Sequence, residues 1–512
     1  MIWFILHKVN MGKVSGKISR IFYPPGVTHL NPTVATALFL ILFSTLLTLT
    51  TPFSYLPAMV ASFGYNEKER GYYAGTIASS LFVGRFLGGY YWGWLTDKIG
   101  RRPVLLTSAL LTFVATLAFG FTTTIYWAIV TRFLQGLFNG VTVVGRAAFA
   151  EICDSTNQAI GVSLVFAAWN SAIVMGPAFG GFLATPVIKY PNVFKGISKW
   201  FFTKFAFLLP SAFICIILML SIILIFFKFD ETIKRADLLD DTKMHESQGL
   251  LSEKMTENNS LNKKKIEKSQ ADQKCCNIKK WSIVELCSDK YVVLIVIMFG
   301  ISGFCIIGFS EVSALWMATS LNYGGLSFDT DKIGIALLVP AVLSVILQPI
   351  LFSRLERRFG GILTLQATIL ILVATTAMFP FIQIFHSNKG IMWFLLIFVG
   401  LLRMIADISS RSCIALFINN SVYSDRAGRV NGLAYSVQEI MRVASPTMFG
   451  SLFAWSINDI YHQVKFPIDY RLAFFAIAFF TLIILLLSFL LPKSINGPKT
   501  PPTSSTEVID RS

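Results

Sequence analysis

Long apolar runs separated by short polar segments dominate the chain from about residue 33 onward. A bilayer core about 30 Å thick is crossed by roughly 20 apolar residues in a helix, so each run predicts one membrane-spanning helix. Six runs precede a long polar interval and six follow it, which predicts an all-α membrane protein with twelve spans in two six-helix halves. The predicted spans are residues 33–61, 71–94, 103–121, 125–149, 159–184, 205–227, 291–318, 333–353, 361–385, 391–418, 430–456 and 471–491.

The polar interval defines the predicted domain organisation. It is rich in Lys, Glu, Asp, Ser and Asn, which is typical of a mostly disordered linker. With an even number of spans, both termini and the linker lie on one side, and most Lys and Arg residues fall there, so the positive-inside rule predicts that this side is cytosolic. The predicted units are a tail at 1–32, a first half at 33–228, the linker at 229–290, a second half at 291–491 and a tail at 492–512.

Composition agrees with this class and excludes others. The chain has 512 residues, of which 54% are hydrophobic and 14% are charged, and its mean hydropathy is +0.63, outside the range of soluble domains. The net charge of +16 could indicate nucleic acid, but the basic residues lie in short loops beside apolar runs, where the partner is the lipid bilayer. We therefore expect no nucleic-acid binding.

Metal and enzyme chemistry are also poorly supported by the residue types. The spans contain no histidine, and their cysteines lie on separate segments without ligand spacing. No nucleophile, base or phosphate loop occurs in a shared context. We expect no metal site, no cofactor and no enzymatic activity.

The charged segment between spans 2 and 3 reads "GWLTDKIGRR". Gly100 permits a tight turn, and Asp97 can cap the positive end of a helix from the other half. Arg101 can reach an acid at the end of span 4. The segment is therefore predicted to be a latch that holds the cytosolic side shut, with the residues Gly93, Asp97, Gly100, Arg101, Arg102, Glu151 and Asp154.

Three motifs resemble those of the major facilitator superfamily. The segment "GWLTDKIGRRP" resembles its loop signature, and "RFLQGLFNG" in span 4 resembles its buried-arginine motif, with Arg132 in register. Span 5 carries "GPAFGG", which resembles the antiporter motif of the drug:proton antiporters and implies exchange. The alternative for span 5 is close helix packing alone. The matched residues are Gly176, Pro177, Gly180 and Gly181.

Longer segments are similar to the zinc-induced facilitator-like transporters. They are "ATPVIKYPNVF" after span 5, "GFSEVSALWMATSLNYGGLSF" from span 7 onward, and "GRVNGLAYSVQEIMRVASP" in span 11. The plant members add a histidine-rich loop, whereas here only His245 lies in the linker.

A parallel repeat between the halves is visible in two proline–glycine pairs. Pro177 and Gly181 in span 5 are spaced like Pro446 and Gly450 in span 11. This predicts that the two halves are built alike.

Ionisable residues within spans are functional hypotheses because they are costly in a bilayer. Glu311 is predicted to couple protons or bind a cation, and the alternative is a hydrogen-bonded carboxyl that pins span 7. Arg132 either faces a cavity or bonds backbone carbonyls.

Two pairs of oppositely charged residues are spaced to form ion pairs within one helix. Each ion pair could act in gating or could simply neutralise its charges in the membrane. Either pair could also bridge to Arg132 or Glu311. The two pairs are Arg403 with Asp407, and Glu439 with Arg442.

Uncharged side chains complete the predicted cavity. Asn139, Asn170, Trp169 and Trp316 are expected to line it, and the alternative for each is contact between helices.

These observations predict a monomeric transporter of a small solute that works by alternating access and proton antiport. The candidate solutes are an organic cation, a drug-like amphiphile or a metal chelate. The alternatives are a uniporter or symporter of a sugar or organic anion, and a non-transporting receptor on the same fold. The expected location is a vacuolar, endolysosomal or plasma membrane, and the sequence "ESQGLL" in the linker, which matches an acidic dileucine sorting pattern, favours an endosomal or vacuolar one.

Overall fold

Twelve helical spans are present in the computed structural model, which describes residues 28–153, 157–231, 289–422, 424–458 and 467–497. Seven of the described helices are long and apolar enough to cross a membrane by length and composition alone. Spans 1 to 6 are Pro32–Ser62, Glu67–Ile99, Arg101–Gly120, Ile125–Glu151, Gln158–Leu183 and Leu208–Lys228. Spans 7 to 12 are Lys290–Ala318, 330–359, 361–378, Lys389–Asn420, Ser424–Ser456 and Leu472–Ser488.

Two spans are interrupted where they pack against neighbours. Span 1 narrows to a 3₁₀ turn at Thr51–Ser54, and span 4 is broken between Leu137 and Val141. Spans 8 and 9 meet at Gly360, whose φ of 77° is the left-handed conformation that glycine adopts without strain.

The charged segment after span 2 differs from its prediction as a loop. Residues up to Ile99 continue the helix of span 2, and Gly100 alone separates it from span 3. The last turns of this helix carry the charged residues Asp97 and Lys98, so the apolar pattern ends near residue 94 while the helix continues. Helix length is set by backbone hydrogen bonds and caps, so it need not end where hydrophobicity ends.

The two faces of the bundle differ in how the halves pack. We call the face where span 6 ends and span 7 begins the linker face, and the other the distal face. At the distal face one hydrophobic core contains residues of both halves, including Tyr55 and Phe207 from the first and Trp316 and Phe474 from the second. At the linker face each half has a core of its own.

Glycines bring the halves together at the distal face. A Cβ atom at Gly181 would lie 2.5 Å from the carbonyl oxygen of Thr330, so span 5 meets span 8 backbone to backbone. Likewise, a Cβ atom at Gly450 would lie 2.6 Å from the carbonyl oxygen of Gly71, where span 11 meets span 2. The two repeated proline–glycine pairs therefore occupy equivalent contacts between the halves.

Candidate functional site

A central cavity lies between spans 1 and 5 of the first half and spans 7, 8 and 10 of the second. It contains about 1170 Å³ of empty space, part of which is open solvent. The shared core closes it toward the distal face. Its wall is mostly apolar, and the polar residues in it are Thr50, Asn170, Ser310, Ser313, Ser344, Arg403, Asp407 and Arg411.

Asp407 pairs with a different arginine from the one predicted. Its Oδ2 accepts a hydrogen bond from Arg411 Nη2 at 2.8 Å. Arg403 interacts electrostatically with Asp407 but lies beyond ion-pair distance. Its guanidinium carbon instead lies 3.3 Å from the ring centre of Phe309. The prediction of an Arg403–Asp407 pair was wrong, because spacing of four in both directions along a helix brings Asp407 equally near both arginines.

The predicted pair of Glu439 and Arg442 is present, with Arg442 Nη1 donating to Glu439 Oε1 at 2.8 Å. Glu439 also reaches the first half, since its Oε1 lies 3.4 Å from Arg85 Nη2 on span 2. Arg442 lies 5.4 Å from the ring centre of Trp169 on span 5. The bridge across the halves therefore runs to Arg85, and not to Arg132 or Glu311 as the sequence allowed.

Arg132 is buried behind span 1 and does not line the cavity. Its Nη1 donates to the carbonyl oxygen of Thr48 at 2.7 Å and to Gln135 Oε1 at 2.9 Å. The backbone-bonded alternative for this arginine is therefore the one observed. The hydrogen bond between Arg132 and Thr48 links span 4 to span 1 just before the 3₁₀ turn.

Glu311 is also buried, with 2% of its surface exposed. Its Oε1 has no hydrogen-bond partner among the described residues. It interacts electrostatically with Arg132 of the other half without forming an ion pair. The carboxyl lies outside the cavity wall, at the boundary between the halves.

Of the four uncharged residues predicted to line the cavity, two do so. Trp169 and Asn170 are in its wall. Asn139 lies in the break of span 4, where its Oδ1 accepts from Thr142 Oγ1 at 2.7 Å. Trp316 is fully buried in the distal core and donates to the carbonyl oxygen of Gly324 at 2.9 Å. Their predicted cavity positions were wrong, because an apolar or amide side chain in a span packs equally well between helices.

The residues of the span 5 motif have divided roles. Gly176 and Gly180 face the turn of span 1, where any Cβ atom would collide with Thr50 or Thr51. Gly181 faces span 8, and Pro177 lines the cavity. The motif thus packs span 5 closely and also contributes to the cavity wall.

The charged segment between spans 2 and 3 is held within the first half. Arg101 contacts Asp97 Oδ1 at 3.0 Å and Glu151 Oε1 at 2.8 Å, whereas Asp154 lies outside the described residues. The Asp97 side chain is 74% exposed, and within the described ranges its ion-pair partner is Arg101 of the same half. Gly93 has open space beside it.

Glu231, which the sequence did not single out, anchors this segment. It accepts the backbone N–H groups of Arg101 at 2.8 Å and Arg102 at 3.0 Å. These are free donors at the start of span 3. Gly100, with a φ of 98°, leaves the space that the Glu231 carboxylate occupies.

Polar contacts also join the halves at the distal face, and two of them involve charged residues that were not predicted. Glu67 Oε2 accepts from Ser320 Oγ at 2.8 Å. Lys189 Nζ donates to the carbonyl oxygen of Gly181 and to Thr330 Oγ1. Burial lowers the pKa of Lys189, and nearby Asp331 and Asp329 partly oppose that shift. Lys189 and Ser320 lie in segments that carry the family resemblance, but no residue pattern in the sequence indicates that these segments join the halves.

No group of three or more His, Cys, Asp or Glu side chains suited to a metal ion occurs in the part of the chain that the structure describes. The fold and the cavity instead define a membrane transporter with two helical halves around a central site.

The chain belongs to the Major Facilitator Superfamily, whose model matches residues 38–446. It is 28% identical to Protein ZINC INDUCED FACILITATOR 1 of Arabidopsis thaliana, over 81% of this chain and 83% of that protein. It is 26% identical to the Major facilitator superfamily multidrug transporter mfsB of Aspergillus fumigatus, over 80% of this chain and 76% of that protein.

Among solved structures, the fold is similar to that of a D-xylose-proton symporter. The TM-score is 0.62 at 15% identity, over 91% of this chain and 99% of that one. This likeness extends to the fold alone.

Proposed function

We propose that this transporter exchanges a small organic solute for protons by alternating access. The observation that carries the proposal is the asymmetry of the bundle. One apolar core shared by both halves closes the cavity toward the distal face, whereas at the linker face each half has a core of its own. Rocking of one half against the other would reverse this asymmetry and expose the cavity to the distal side.

Glu311 is the proposed site of proton coupling. A carboxyl can carry one proton, and whether it does so depends on the charges and the water around it. Glu311 lies at the boundary between the halves and interacts with Arg132 across it. Motion of the halves would change that interaction, and thereby the affinity of Glu311 for a proton.

The coupling is tested with the full chain in proteoliposomes that contain a pH-sensitive dye. Three probes represent the solute classes: ethidium as a cation, the zinc–histidine chelate and 2-naphthoate. For the probe that moves, we expect an imposed pH gradient to drive accumulation. Glu311→Gln should reduce that accumulation about tenfold or more while leaving exchange of labelled for unlabelled probe intact, since neutral glutamine cannot carry the proton.

The matched control is Glu356→Gln, at the end of span 8 toward the linker face, which should behave like the unaltered chain. Flux of a probe without any response to the pH gradient would instead show a uniporter. Absence of flux for every probe would favour a receptor role.

We further propose that the linker face is cytosolic, as the distribution of basic residues predicts, in a vacuolar, endolysosomal or plasma membrane. Under this orientation the structure has its cavity closed toward the outside or the organelle lumen. Labelling of a cysteine at exposed Ile188, on the distal side, by an impermeant maleimide added to intact cells or organelles tests the orientation.

A further inference from the structure

Arg403 has an unusual environment for a buried cation. Only 5% of its surface is exposed, yet it forms no hydrogen bond or ion pair with any described residue. Phe309 covers one face of the guanidinium at 3.3 Å. A ring beneath the plane satisfies the face of the cation but leaves the N–H groups at its edge free.

Arg403 lines the central cavity and also borders a smaller pocket between spans 7, 9, 10 and 12. Asp407 is the single acid among the described residues of the central cavity wall, and its carboxylate is engaged by Arg411 at 2.8 Å. The described wall therefore holds two arginines and one carboxylate, which leaves one excess positive charge. Burial of such a charge is unfavourable until an anion compensates it.

The rest of the wall indicates the kind of anion. Most lining residues are apolar, and the wall opposite span 10 contains Trp169 and Asn170 of the first half. An inorganic ion would leave this apolar surface unfilled. An organic anion with a flat apolar body could contact both halves at once, with its charged group on Arg403.

We propose that the transported solute is an organic carboxylate or a similar oxyanion, bound through the N–H groups of Arg403. A carboxylate matches the guanidinium edge with two parallel hydrogen bonds. This inference rests on the proposed transport function and specifies its substrate class. It disfavours a simple organic cation, which would meet the excess positive charge of the cavity.

Binding can be measured apart from transport, by calorimetry on the full chain in lipid nanodiscs. Three probes share one ring system and differ in charge: 2-naphthoate, 2-naphthylmethanol and 2-naphthylmethylammonium. We expect the carboxylate to bind at least about tenfold more tightly than the other two, a difference of about 1.4 kcal/mol. Equal binding of all three, no binding of the carboxylate, or preference for the ammonium probe would overturn the proposal.

Two variants in the cavity have opposite expected effects. Arg403→Gln should lower the affinity for 2-naphthoate about tenfold, to the level of the alcohol. Asp407→Asn should retain or increase that affinity because it removes the one carboxylate found among the described lining residues. If Asp407→Asn instead abolishes binding of the ammonium probe, the site is one for cations.

Two further measurements guard against misfolding and against an inorganic ligand. Arg403→Lys keeps the charge and should still prefer the carboxylate over the ammonium probe. Arg471→Gln, which breaks an ion pair with Asp469 at the distal face, should bind like the unaltered chain. If sodium chloride, at the same concentration as 2-naphthoate, competed equally well for binding, the site would be one for small inorganic anions. That result would reject the organic substrate.

Failure of this proposal is distinguishable from failure of proton coupling. Selective binding of the carboxylate without flux driven by a pH gradient would retain the substrate class and reject the coupling. Flux of ethidium driven by the pH gradient would retain the proton coupling and reject the carboxylate substrate class.

Discussion

Asp407 lies four residues from both Arg403 and Arg411, and it pairs with Arg411. On a helix, an acid placed N-terminal to a base at this spacing is the better orientation, and Asp407 with Arg411 has that order. The same order holds for Glu439 and Arg442. The choice of Arg411 as the partner of Asp407 was therefore predictable from sequence. The unpaired N–H groups of Arg403 also depend on the neighbouring span.

Glu231 provides a test of one residue at the linker face. Glu231→Ala removes the acceptor for two backbone N–H groups at the start of span 3. Caps of this kind contribute about 0.5–2 kcal/mol to helix stability. We expect faster hydrogen exchange at the amides of Arg101 and Arg102, measured by mass spectrometry on the protein in nanodiscs.

The adjacent variant Asp230→Ala is the control, because Asp230 is exposed and should leave exchange at both amides unchanged. Equal protection of these amides in Glu231→Ala would mean that other groups satisfy them.

Pairs of helices form the contacts that close the distal face. Spans 5 and 8 meet at Gly181 and Gly334, and spans 2 and 11 meet at Gly71 and Gly450. Small residues allow such close approach, which a bilayer cannot drive by hydrophobic burial. Because both contacts use the repeated proline–glycine pair, closure involves equivalent elements of the two halves.

Gly181→Val tests this contact. The added side chain would collide with the backbone of span 8, and overpacking costs about 1–3 kcal/mol. We expect the population with an open distal face to rise about tenfold. Pulsed electron paramagnetic resonance between spin labels at positions 188 and 332, in a cysteine-free background, should show a larger share of long distances.

Gly89→Val is the matched control, since Gly89 has no atom within 4 Å of a Cβ position. A distance distribution in Gly181→Val that matches this control would show that the contact does not limit opening.

In the whole bundle the hydrophobic core shared by both halves lies at the distal face, and this bears on the segment from Gly93 to Arg102 at the linker face. Asp97 is exposed and is paired only with Arg101 of its own half. The predicted latch, in which Asp97 caps a helix of the other half, is therefore not engaged in this conformation. It would form when the linker face closes.

Asp97→Asn is expected to lower transport about fivefold while the protein remains inserted. Loss of a charge–dipole contact of about 1 kcal/mol would depopulate the conformation with a closed linker face by that factor. Initial rates of probe exchange in proteoliposomes, normalised to inserted protein, measure the effect. Lys98→Gln on the same turn serves as control, and unaltered turnover in Asp97→Asn would reduce the segment to an orientation signal.

The apolar pattern by itself determined the class, the twelve spans and the two halves, because a bilayer requires each crossing segment to be long, apolar and internally hydrogen-bonded. The spacing of the motifs also predicted the contacts of Arg101 with Glu151 and of Glu439 with Arg442. These contacts are either within one helix or at the ends of adjacent spans. Only the tertiary structure decided which polar residues face the cavity. Arg132, Glu311, Asn139 and Trp316 point elsewhere, while Arg403 and Asn170 line it. Inside a membrane a polar side chain is satisfied equally well by a neighbouring helix or by a cavity, and the choice depends on how whole helices are rotated and packed.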